Sequence, residues 1–186
     1  MIPAIAILIF AWSLKGMGDA LEISTFVKNI VGNNASASVI LPAVLFVVAV
    51  FLSFSTGTSW GTFAILVPIA IAMFPGSENV QMMIIAVSAV LAGAVCGDHI
   101  SPISDTTVMS SAGAQSNHIN HVTTQMQYAA VVAVVSFIGY IIAGFIHIWW
   151  VVLGISLVLL LIILNVLRRI SNGKEQCADM QEKKHA

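Results

Sequence analysis

Charge is what this sequence has least of. Asp, Glu, Lys and Arg make up 8% of its 186 residues, where ordinary soluble domains carry about 25%. Between Lys28 and Arg168 there is no lysine or arginine at all, and five of the seven basic residues lie at or after Arg168. A soluble fold of this length has too little charge here to cover its surface. A formal net charge of −1 gives nucleic acid no electrostatic footing, so no nucleic-acid partner is expected. Cysteine is equally sparse. Cys96 ends an apolar run and Cys177 lies in a polar tail, with no CxxC spacing, which excludes a disulfide framework and a zinc site. Phosphate loops, nucleophile elbows and metalloprotease signatures are missing, so the chain is not expected to be an enzyme. The first apolar stretch, Ile2–Leu14, has neither a basic region before it nor a small-x-small site after it. It therefore reads as a retained segment rather than a cleaved leader.

What the sequence has is apolar residues, 59% of the total. A spanning helix needs about 20 of them in succession. Ile148–Leu167 meets that length, with Trp149 and Trp150 at one end and Arg168-Arg169 at the other. Aromatic residues favour the membrane interface and basic ones the cytoplasmic side. The polar tail at 171–186 is therefore expected to be cytoplasmic, following a transmembrane domain over residues 1–170. A second span is expected over Gln127–Ile146, antiparallel to the first and joined to it at His147. Other apolar stretches are interrupted. Ile2–Leu14 stops at Lys15–Asp19, Val39–Phe54 and Thr62–Phe74 flank Ser55–Gly61, and Val80–Gly97 runs into Asp98–Thr107. As a helix, Thr62–Phe74 reaches only about 20 Å, short of a 30 Å hydrocarbon core. Counting back from the tail makes the Gln115–Gln125 loop cytoplasmic, and His147, Pro75–Asn79 and Gly32–Asn34 external. Val39–Phe74 can be a re-entrant hairpin or two short spans.

Irregular backbone at membrane depth survives only where protein or a water-filled cavity satisfies its polar groups. Hydroxyl- and glycine-rich interruptions therefore point to a binding site. In Ser55–Gly61, four of seven residues carry hydroxyls, and hydroxyl and carbonyl oxygens suit a hard cation. The second interruption adds two carboxylates, Asp98 and Asp105. Pro102 denies its neighbourhood a regular helix, so an unwound segment is expected, with Asp105 near the start of a new short helix. A carboxylate within a span costs about 2.5–3.5 kcal/mol on insertion scales and tends to be functional. One carboxylate can hold a proton or Na+ but not both, which is the minimum device for exchange.

Plainer roles exist for each of these residues. Asp105 can cap a helix beginning at Thr106, Asp98 can pair with His99, and Ser55–Gly61 can be an ordinary polar turn. His118 and His121 have the i, i+3 spacing of metal ligands but no acidic third ligand, and are read as part of a solvated loop. Gly93 and Gly97 suit close helix approach.

The runs Phe54-Ser55-Thr56-Gly57-Thr58-Ser59-Trp60-Gly61-Thr62 and Gly97-Asp98-His99-Ile100-Ser101-Pro102-Ile103-Ser104-Asp105-Thr106-Thr107 resemble the NhaC-type sodium/proton antiporter family. Ser110–Ala114 and His118–His121 extend the resemblance, which covers roughly residues 3–146. It implies an all-α polytopic membrane protein and one half of an inverted repeat, with a re-entrant or broken hairpin and a discontinuous helix meeting near the membrane midplane. By the same resemblance Thr56, Thr58 and Ser59 lie on the hairpin tip. Asp98, Ser101, Ser104, Asp105, Thr106 and Thr107 lie on the broken helix. Together these nine form the candidate Na+/H+ site, with Asp105 expected to take up the ion. The implied function is exchange of Na+ for H+ across the cytoplasmic membrane, with no cofactor beyond the transported ions. The alternatives are a Na+-coupled organic-acid antiporter and an inactive half-transporter. The implied partners are the lipid bilayer and a missing amino-terminal repeat or second half-subunit, without which the chain is not expected to transport. Family members often carry acidic residues where this chain has Asn117 and Asn120, and a basic one where it has Thr123.

The span count makes a direct prediction. A single cysteine at Ser77 is expected to react with an impermeant thiol reagent from outside the cell, and one at Asn117 only after permeabilisation. The reverse pattern would overturn the map.

Overall fold

The computed structural model describes residues 35–74, 80–146 and 148–185, with isolated positions 13, 17 and 20. The expectations for Ile2–Leu14, Lys15–Asp19, Gly32–Asn34, Pro75–Asn79 and His147 fall outside the described residues. Over residues 35–185 the described residues form six helices in succession: α1 (Ala35–Thr56), α2 (Ser59–Met73), α3 (Val80–Ile100), α4 (Asp105–Gly113), α5 (His118–Phe145) and α6 (Trp149–His185). Four of them contain windows long and apolar enough to cross a membrane: Val39–Thr56, Val80–Ile100, His118–Phe145 and Trp150–Arg169. The protein is thus an all-α, multi-pass membrane protein. With 15 residues, α2 reaches about 22 Å and falls short of a span. The hairpin α1–α2 therefore has one full-length arm and one short arm. Pro42 and Pro68 sit inside α1 and α2, as membrane helices tolerate when neighbouring groups satisfy the freed carbonyls.

Small residues bring α1 and α3 together. A Cβ added at Gly93 would lie 2.9 Å from Ala49 Cβ, and one at Gly97 would lie 2.9 Å from the Phe54 nitrogen. Ala43, Ala49, Ala86, Ala89 and Ala94 are buried along the same seam. Backbone-to-backbone approach of this kind replaces the hydrophobic drive that is absent between helices in lipid. Ser53 locks the seam by donating to the Ala94 carbonyl at 2.6 Å. Residues 46, 53 and 54 on α1 meet successively later positions on α3, so the two helices run parallel. α2 returns antiparallel, and Leu66, Ala70 and Phe74 join Leu45, Ala49, Ala86, Val90 and Ala94 in one core.

α5 runs antiparallel to both. Its Tyr140 hydroxyl donates to the Ser88 carbonyl at 3.0 Å, its ring lies 5.5 Å from that of Phe46, and Gly144 abuts Val39. α6 touches α5 where Gly139 faces Ser156. Otherwise Leu153, Leu157, Leu161 and Leu164 point outward, as a lipid-facing helix requires.

Four expectations on element bounds need correction. The break predicted over Ser55–Gly61 narrows to Gly57-Thr58, and that over Asp98–Thr107 narrows to Ser101–Ser104. Most of the expected Gln115–Gln125 loop is helix, because α5 begins at His118 rather than Gln127, capped by Asn117, whose side chain accepts from the Asn120 N–H. The composition change at residue 171 does not interrupt the backbone, since α6 continues to His185. The ends sort as the span count requires. Val80 and Ile146 lie at one end of the bundle, and Asn117 lies at the other with both breaks.

The parallel seam has a measurable consequence. Gly97→Ala is expected to lower the stability of the detergent-solubilised protein by about 1–3 kcal/mol, as overpacking does. Gly154→Ala, with open space around its Cβ, is expected to leave the thermal midpoint unchanged. Equal midpoints for the two variants would refute the seam.

Candidate cation site

The hairpin tip is built by one glycine and one threonine. Gly57 takes φ +67°, and its N–H bonds the Ser53 carbonyl at 2.8 Å, the left-handed cap that ends α1. Thr58 is then extended and caps α2, its hydroxyl accepting from Gly61 N–H at 3.4 Å. Ser59 thereby becomes the first residue of α2.

The second break follows from Pro102, which cannot continue α3. Ser101 N–H bonds the Asp98 carbonyl at 3.2 Å and Ser104 N–H the Ser101 carbonyl at 3.4 Å, forming a compact turn. α4 opens at Asp105 with Ser104 in the cap position, but the Ser104 hydroxyl makes no cap bond. It donates instead to Asp98 Oδ1 at 2.7 Å, forgoing a cap worth about 1 kcal/mol.

The two breaks meet. A Cβ at Gly57 would lie 3.0 Å from the Ile103 carbonyl group, and Ser101 donates to the Phe54 carbonyl at 2.7 Å. Between them sits Asp98, 6% exposed. Ser59, from the tip, donates to Asp98 Oδ2 at 3.1 Å. The Thr106 hydroxyl lies 2.8 Å from Ser104 Oγ, so Thr106 joins the network one step removed. The site lies at the carboxy-terminal ends of α1 and α3 rather than halfway along them.

The nine candidate residues therefore divide. Asp98, Ser59, Ser104 and Thr106 form one connected group. Ser101 and Thr107 cap the orphan carbonyls of the two helix ends, Thr107 reaching His99 O at 3.4 Å. Thr56 bonds back to Leu52 O at 2.8 Å within its own helix, and Thr58 serves as a cap. Asp105 is exposed, and its Oδ1 accepts from Thr106 N–H at 2.8 Å, so α4 starts one residue earlier than a cap at Asp105 would place it. His99 Nδ1 lies 2.9 Å from Val95 O, and the carboxylate oxygens of Asp98 are taken by Ser59 and Ser104.

His118, expected in a solvated loop, instead opens α5 with both ring nitrogens engaged. Nε2 lies 2.8 Å from Pro102 O and Nδ1 lies 3.1 Å from Ser111 Oγ. A partner 16 residues away in a loop leaves no periodic signal. Beside the break, a cleft of about 400 Å³ is lined only by polar residues: His99, Thr106, Thr107, Ser110, His121 and Gln125. Among the described residues no three His, Cys, Asp or Glu side chains converge as metal ligands.

A buried carboxylate thus lies between a hairpin tip and a broken helix in a multi-pass helical bundle. The comparisons with known proteins place the chain in a family. The chain belongs to the Na+/H+ antiporter family, whose profile matches residues 1–145, as the two sequence runs implied. It is 50% identical over 145 residues to an uncharacterised protein of Haemophilus influenzae, covering 78% of this chain and 28% of that protein. It is 32% identical over 111 residues to a malate-2H+/Na+-lactate antiporter of Bacillus subtilis, covering 59% and 23%. The chain thus spans about a quarter of the length of the curated relatives it matches. No solved structure matches it significantly.

Because Gly57 combines a left-handed backbone with contact to Ile103, Gly57→Ala is expected to cost about 1–2 kcal/mol and to lower the thermal midpoint. An unchanged midpoint would mean that tip and break are not locked together.

Proposed function

We propose that the protein is a secondary active transporter exchanging Na+ for H+ across the cytoplasmic membrane, with Asp98 as the group that carries both. The observation that carries this reading is a buried carboxylate with no lysine or arginine beside it among the described residues. Asp98 is 6% exposed, and α1 to α5 contain no lysine or arginine. A buried charge must be paired or neutralised. On this reading a proton or a bound cation does so, and the two exclude each other.

The surrounding hydroxyls suit both states. Ser59 and Ser104 donate to the carboxylate, and a hydroxyl can rotate to turn a lone pair toward a cation. Na+ then finds oxygen from Asp98, Ser59, Ser104 and Thr106, the hard ligands such ions prefer. The polar cleft meets this group at Thr106 and offers a hydrated approach. Support for placing the tail in the cytoplasm comes from Arg168-Arg169. On this reading the rest of a longer transporter, an inverted second repeat, completes the site. On this reading the protein is a transporter rather than an enzyme and works without a cofactor.

A second reading, Na+-coupled exchange of an organic acid, is favoured by the cleft itself. His121 and Gln125 can supply N–H donors for a small carboxylate, and the relative from Bacillus subtilis is named for malate and lactate. Acceleration of Na+ flux by malate or lactate would select it.

In everted vesicles, Asp98→Asn is expected to abolish Na+-induced collapse of a pH gradient while leaving membrane levels intact. Asp105→Asn, altering a carboxylate that points away from the network, is expected to stay within about threefold of wild type. The apparent Na+ affinity of the wild type should improve as pH rises and then level off. Wild-type exchange in Asp98→Asn would overturn the assignment.

A further inference from the structure

We infer that His118 is a positioning residue for this site: its imidazole clamps the unwound Pro102–Ser104 turn to the start of α5, most tightly when the ring carries a second proton. The inference rests on the reading of Asp98 as the ion carrier, because the clamped turn is what aims Ser104 at that carboxylate.

The bond directions follow from what each atom can do. The Pro102 carbonyl only accepts, so His118 Nε2, 2.8 Å away, carries a proton. Ser111 Oγ lies 3.1 Å from His118 Nδ1 and 2.8 Å from the Thr107 carbonyl, and its hydroxyl has one proton to give. In a neutral ring, Nδ1 is an acceptor and competes with Thr107 O for that proton, so only two of the three bonds form together. In the imidazolium, Nδ1 donates to Ser111, Ser111 donates to Thr107, and all three form. Two of the three are then strengthened by the charge on the ring.

The clamp joins three elements at one side chain. His118 belongs to α5, Ser111 to α4 and Pro102 to the break between α3 and α4. Two residues beyond Pro102, Ser104 donates to Asp98. Protonation of His118 therefore holds Ser104 in place, and its loss lets the turn relax. The titratable or charged groups nearest this end on the neighbouring elements are Cys96, Asp98 and His99 on α3, Asp105 on α4, His121 and Tyr128 on α5, and Arg168 and Arg169 on α6, whose other charged residues follow from Lys174 onward. α1 carries none. The charged ring makes one more bond than the neutral ring, so the clamp is tighter in the charged form.

The test combines hydrogen exchange of the peptide spanning residues 101–105 with the Na+ KM of exchange, at pH 6 and pH 8, in the full transporter. His118→Ala is expected to speed exchange of that peptide relative to wild type at the same pH, and to raise the Na+ KM about three- to tenfold, the range of one net hydrogen bond. His118→Gln keeps an N–H donor for Pro102 but cannot titrate. It is expected to match wild type at pH 8 and to lack the extra protection wild type shows at pH 6. Ser111→Ala, which leaves the ring and its Pro102 bond intact, should lose the same extra protection. Unchanged protection and KM in His118→Ala, or His118→Gln indistinguishable from wild type at both pH values, would overturn the inference. If His118→Ala does not insert, the Gln and Ser111 variants decide alone. Persistent exchange in Asp98→Asn would instead remove the carrier assignment, while the protection measurements would still report on the clamp.

Discussion

The hydroxyl of Ser101, donating to the carbonyl of Phe54, ties the end of one helix to the end of another. Each break leaves backbone carbonyls at a helix end without partners inside their own helix. Together they satisfy each other. Ser101 from the second break caps α1, Thr107 reaches back to the end of α3, and Gly57 lies flat against Ile103 because it has no Cβ to hold them apart. The parallel run of α1 and α3, drawn close by Gly93 and Gly97, puts the two ends level so that this exchange of bonds is possible. Every feature of the site depends on that alignment.

Once the ends are level, the abundance of hydroxyls acquires separate explanations. Ser55 and Thr56 bond back to carbonyls one turn earlier in their own helix, whereas Ser101 and Thr107 cover carbonyls left open at the ends of α1 and α3. Ser59 and Ser104 bond to Asp98. Only this last pair addresses the carboxylate, and it draws one member from each break. A site assembled from two breaks in this way is sensitive to any motion of one against the other, which is the kind of motion that carrying an ion across a membrane demands. The contrast between Asp98 and Asp105 has the same origin. Asp98 occupies the last turn of α3, on the face that α1 and the tip cover, whereas Asp105 opens α4 and faces away, held by its own helix.

The large exposed side chains fit the same account. In water they would be a liability, but here they lie on the outer faces of α1, α5 and α6, where lipid tails are the solvent. α6 has no part in the core, and its role in the described bundle is limited to covering one stripe of α5 through Gly139 and Ser156.

Membrane insertion, the approximate spans, the two breaks and the family were all legible in the sequence, because each depends on local composition. Scarce charge between Lys28 and Arg168, long apolar runs, and Pro102 set among hydroxyls declare themselves without any partner. The short new helix at Asp105 follows from the same proline. What the sequence could not decide was which carboxylate is buried, since Asp98 and Asp105 flank the break with similar neighbours and burial depends on what packs across it. Nor could it reveal that His118 leaves the expected loop to hold Pro102, or that helix extends over most of Gln115–Gln125. Those outcomes depend on which faces of α1, α3, α4 and α5 come together, and contacts between residues 16, 39 or 47 positions apart leave no mark in any local window.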